Sequence, residues 1–193
     1  MTKYFLQFAV LLAFALFAPA TFAHTGIHDI EGFLSGLSHP FLGLDHLLVM
    51  LGVGLWASRL TRFNAGLTIA AFLSFMTIGA GLALLGLKIE GVETGILASV
   101  LITGLLLSVS RYTSSILTIG LLASFALLHG FAHGAETPQA VESINYALGF
   151  LLATAMLHAI GLGLGVMLSK HELSLKIAGF ITSGLGLYLL ISA

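Results

Sequence analysis

His39-Pro40-Phe41-Leu42-Gly43-Leu44-Asp45-His46-Leu47-Leu48-Val49-Met50 sets an aspartate and a histidine side by side in a stretch otherwise suited to hydrocarbon. Ionisable groups there cost about 2.5–3.5 kcal/mol each on insertion scales, so they face a bundle interior, a pathway or a site. The apolar run continues to Ala57 and reads as a membrane span over 40–58. A second polar group, His129-Gly130-Phe131-Ala132-His133-Gly134-Ala135-Glu136, closes a later apolar run. Histidines and carboxylates in such company point to a metal ion handled in or near the bilayer.

The rest of the chain agrees with a membrane setting. It has 193 residues, 58% hydrophobic and 8% charged, with a mean hydropathy of +1.09. Soluble domains carry roughly 25% charged residues, so the expected class is an all-α integral membrane protein. The 23 glycines suit close helix contacts in lipid. No basic tract points to nucleic acid, and cysteine is absent, which removes disulfides and thiolate metal sites together.

Lys3, the apolar run Phe5–Phe17 and Thr21-Phe22-Ala23 read as a secretory signal cleaved after residue 23. The alternative is an uncleaved first helix, against which Pro19 and the short apolar core speak. The mature domain, 24–193, then holds six apolar runs at 40–58, 65–87, 94–110, 113–132, 144–168 and 174–192. Each approaches the roughly 20 residues that cross a bilayer. Ile27, Ile30, Leu34 and Leu37 recur at helical spacing ahead of the first run, so residues 24–38 read as a short amphipathic helix across the bundle mouth, or as a solvated arm.

Orientation follows from the loops. A cleaved signal puts His24 and both mature termini on the periplasmic side of a bacterial inner membrane. Arg59, Arg62, Arg111, Lys170 and Lys176 then fall on the cytoplasmic side and only Lys88 outside, the positive-inside pattern. His24, His28, His39, Glu93, His129, His133 and Glu136 gather at the outer face, Asp45 and His46 lie about two turns into the first span, and His158 sits mid-membrane.

Pro40 suits a first helical turn capped by Ser38 or His39. A continuous helix from there separates His39 from His46 by about 10 Å along its axis, too far for one ion unless the first turn unwinds. Asp45 can ligate directly or orient an imidazole through its second nitrogen. His129 and His133, four apart, can chelate one ion, with Glu136 on the same face. Gly130 and Gly134 form a small-residue face for a neighbouring helix. His158 alone is read as a ligand or a hydrogen-bonded interior residue, and Glu93 as a ligand or a helix N-terminal acid. Imidazole and carboxylate without thiolate suit nickel, cobalt, zinc or copper(II) as the bound ion, and no prosthetic group is expected.

At these residues the sequence resembles the HupE/UreJ family of bacterial nickel and cobalt permeases. The pattern HPxxGxDHxxxMxxVGxxA is matched from His39 through Pro40, Gly43, Asp45, His46, Met50, Val53 and Gly54 to Ala57. Val92-Glu93-Thr94-Gly95, the segment His129 to Glu136, and Leu157-His158 also look like the family. The resemblance implies a permease rather than an enzyme, taking up nickel for hydrogenase or urease, or cobalt for cobalamin. No GxxxxGK[ST] loop for ATP is present. Two other readings compete: an intramembrane zinc hydrolase in which Asp45 or Glu136 positions water, and a metal sensor or chaperone without transport. A homo-oligomer stays open.

Overall fold

The structure, a computed structural model, describes residues 32–109, 115–136, 141–169 and 171–193. The expected leader, together with His24 and His28, lies outside the described residues. Seven helices and no strand occur among those described: α1 Gly32–Leu42, α2 Leu44–Ala57, α3 Arg62–Leu84, α4 Val92–Val109, α5 Ser115–Glu136, α6 Val141–Leu168 and α7 Glu172–Ser192. Helices satisfy every backbone polar group within the segment, which hydrocarbon demands. Five of them, α3 to α7, are long and apolar enough to cross a membrane, and the count is six if α1 and α2 form one broken span.

The first span departs from its expected form. It does not begin at Pro40. α1 starts eight residues earlier, at Gly32, and carries Pro40 inside it. Pro40 withholds the N–H that the Gly36 carbonyl would accept, which weakens the helix there. α1 ends at Leu42, Gly43 adopts an extended conformation (φ −87°, ψ 119°), and α2 starts at Leu44. The two helix axes meet at 79°. With 14 residues, α2 rises only about 21 Å, short of the roughly 30 Å of hydrocarbon it would need to cross alone.

The other helices lie close to their expected runs. Thr61 caps α3, its side chain accepting from the Asn64 N–H at 3.3 Å. The tight link from α3 to α4 turns on Gly86 and Gly91, at φ 83° and 72°, values that L side chains rarely adopt.

α3 packs along α5, α4 along α7, and α6 along both α1 and α2. α2 is the enclosed element: Leu48, Val49, Met50 and the whole run Gly52–Ala57 are buried. α3 instead turns Phe63, Leu67, Phe75 and Ile78 outward, as a lipid-facing helix would. The expected small-residue face is used as such. A Cβ on Gly130 or Gly134 would run into the backbone of Met76 or Ala80 on α3. Gly54 touches α6 in the same way, at the His158 carbonyl.

Candidate metal centre

The corner at Gly43 builds the site. It turns His39, near the end of α1, back toward His46 in the first turn of α2, so the axial gap of a straight helix disappears. His133, from the last turn of α5, completes the group. One ring nitrogen from each of His39, His46 and His133 falls within 4.8 Å of the others, the geometry of a shared ion. Nε2 of His46 and Nε2 of His133 face each other directly.

Asp45 is placed to orient His46. Its Oδ1 accepts from the His46 backbone N–H at 2.9 Å and from His46 Nδ1 at 2.8 Å. With Nδ1 engaged by a carboxylate, His46 turns the Nε2 lone pair toward His133, and a carboxylate behind the ring is the usual arrangement of a metal-bound imidazole. Gly43 lies against this pair. A Cβ there would sit 2.9 Å from both Asp45 Oδ1 and His46 Nδ1.

A cavity of about 120 Å³ opens onto the three imidazoles and is lined by Asp45, Glu93 and Glu136 as well. A single water occupies roughly 10–15 Å³ on such a measure, so an ion fits with part of its hydration shell. Glu136 Oε2 lies 3.9 Å from His133 Nδ1. Glu93, exposed in the first turn of α4, therefore belongs to the vestibule rather than to the imidazole group. The aromatic wall behind the imidazoles is Phe150 of α6, with ring centroids 4.4 Å from His133 and 5.7 Å from His39, and Tyr146 one turn before it. These two did not stand out in the sequence, although their four-residue spacing places them on one face.

Of the expected pair His129 and His133, the converging group contains His133. His129 is fully buried one turn below, with its ring 5.1 Å from that of His46. Its Nδ1 donates to the Phe125 carbonyl at 2.9 Å, and it is not among the three imidazoles that converge. That hydrogen bond holds the ring against its own helix. His158 is deeper still, fully buried on α6.

The family model described as HupE / UreJ protein matches residues 12–189. A relative from Rhizobium leguminosarum bv. viciae, Protein HupE, is 39% identical over 142 residues, covering 74% of each chain. No solved structure matches. A family match over nearly the whole length and this identity lead to one statement: the chain belongs to the HupE/UreJ family.

Proposed function

We propose that this protein carries a divalent transition-metal ion, nickel first and cobalt next, inward across the bacterial inner membrane. The observation that supports this reading best is the convergence of His39, His46 and His133 from three helices beneath an acidic vestibule. Three imidazoles without thiolate suit a borderline divalent ion. Glu93 and Glu136 draw cations toward the mouth. Asp45 holds His46 ready, and the ion exchanges water for imidazole as it enters. Membership of the HupE/UreJ family supports nickel and cobalt over zinc and copper.

In this reading residues 1–23 are removed as a signal, α1 and α2 make one broken span of six, and both mature termini are periplasmic. An inside-negative membrane potential favours cation entry by about 2.3 kcal/mol per charge per 100 mV, so no nucleotide is required. Proteoliposomes holding only this protein, with nickel or cobalt outside and a negative interior, test the reading. Accumulation that disappears in His46→Gln and His133→Gln is expected. Tight binding without flux would favour a sensor or chaperone, and metal-dependent hydrolysis of an added ester would favour an enzyme.

A further inference from the structure

Phe150 of α6 meets all three imidazoles of the metal centre. Its ring centroid lies 4.4 Å from that of His133, 5.7 Å from that of His39 and 6.1 Å from that of His46. The ring stands at 89° to His46, edge to face, and is tilted by 45° to His133 and 50° to His39. Aromatic pairs at roughly 4.5–7 Å favour such arrangements over a face-to-face sandwich, so each contact sets a ring's tilt as well as its place. The three histidines come from three helices, and α6 supplies none of them.

The backbone at Phe150 packs closely on the helix that carries His39. A Cβ on Gly36 would collide with the Tyr146 carbonyl and stand 3.0 Å from the Phe150 nitrogen, and one on Gly149 would collide with the Phe33 carbonyl. Gly36 is three residues before His39, on the same side of α1. The Phe150 side chain is buried, and it does not line the mouth cavity. It lines a second, apolar cleft of about 70 Å³ between α3, α5 and α6, together with Met76, Ala80 and Tyr146. His133 borders both spaces, so His133 and Phe150 make a partition between them. The cleft is several times the roughly 10–15 Å³ that one water takes on such a measure. His133, once released, has room to turn into it, and Phe150 closes that way.

We propose that Phe150 is the positioning residue of the centre: its ring holds His39, His46 and His133 in their converging arrangement before an ion arrives. The proposal rests on the transport reading above and deepens it, by naming what preorganises the capture site. Ligands held in place beforehand spare the ion the cost of ordering them. The loss without Phe150 therefore falls on capture.

Purified full-length protein titrated with cobalt(II), with X-ray absorption at the cobalt edge and uptake by proteoliposomes, tests this. The wild type should show three imidazole nitrogens. Phe150→Leu keeps most of the buried bulk and loses the flat ring. It should bind cobalt at least about tenfold more weakly, the scale of loss seen when a group behind a ligand is removed. Its bound cobalt should show fewer than three imidazoles. Its uptake should need more cobalt for half-maximal rate at an unchanged maximal rate, the mark of lost binding rather than of misfolded protein. Phe150→Met, whose flexible chain fills gaps, carries the same expectation if the leucine variant does not fold. Leu107→Ala, a fully buried change on α4, lowers stability elsewhere in the core and should bind cobalt as the wild type does. Wild-type affinity and three imidazoles in Phe150→Leu overturn the positioning role and leave the centre standing. Equal weakening in Leu107→Ala overturns that role too. A wild type without three imidazoles at cobalt overturns the centre itself, and the role of Phe150 with it.

Discussion

Asp45 grips His46 twice, through the backbone N–H at 2.9 Å and through ring Nδ1 at 2.8 Å, so two neighbours in sequence act as one unit. The first bond suits a carboxylate at a helix N-terminus, where unpaired N–H groups point outward. The second aims the imidazole. Asp45→Ala should therefore leave the helix start intact in the main and free the ring to turn. We expect metal binding to weaken by about 10–100-fold, with Asp45→Asn losing less because an acceptor remains. Isothermal titration with nickel measures both, and equal affinity in wild type and Asp45→Ala would show the carboxylate to be a bystander.

Gly43 tests the same unit from outside. Its φ of −87° and ψ of 119° are open to any residue, so a side chain there strains no backbone. What it meets is the Asp45–His46 pair, at 2.9 Å. Gly43→Ala should lower cobalt affinity by about tenfold through displacement of the ring, with normal membrane insertion. Wild-type affinity in this variant would mean that the pair tolerates movement.

Contacts between α3 and α5 position His133. Gly130→Leu has no room against the Met76 backbone, and overpacking of this kind costs about 1–3 kcal/mol or more. Thermal unfolding in detergent should shift down clearly, with metal binding lost alongside. Gly163→Ala, where nothing lies within 4 Å of the new methyl group, should unfold at or slightly above the wild-type temperature.

Topology is open to direct labelling because the chain has no cysteine of its own. Ser192→Cys, at the end of α7, should react with an impermeant thiol reagent applied from the periplasm. Ser169→Cys, exposed after α6, should react only once the cytoplasmic face is opened. The reverse pattern would invert the orientation and overturn the inward transport proposed above.

The sequence already pointed to His39, Asp45, His46 and His133, because polar groups in an apolar run have few uses. It also placed α3 to α7 to within a few residues, since hydropathy reports directly on burial in lipid. Three features were not legible. The corner at Gly43 depends on α1 packing against α6, through Gly36 beside Tyr146 and Gly149 beside Phe33, a contact between distant segments. Pro40 looked like a helix start, yet a proline is also tolerated within a helix whose neighbours hold it in place. His129 shared a face with His133 by spacing alone, but a four-residue interval does not reveal which way a ring turns.

The facing pair His46 and His133 are separated by 87 positions along the chain. The centre is therefore assembled late. While the ribosome is still delivering α3 and α4, the nascent protein owns two of the three imidazoles and no means of closing them around an ion. Only when α5 has entered the bilayer and seated Gly130 and Gly134 against α3 does the third arrive. The three-imidazole centre thus comes into being with the tertiary structure, and a truncated or half-inserted chain lacks its third member.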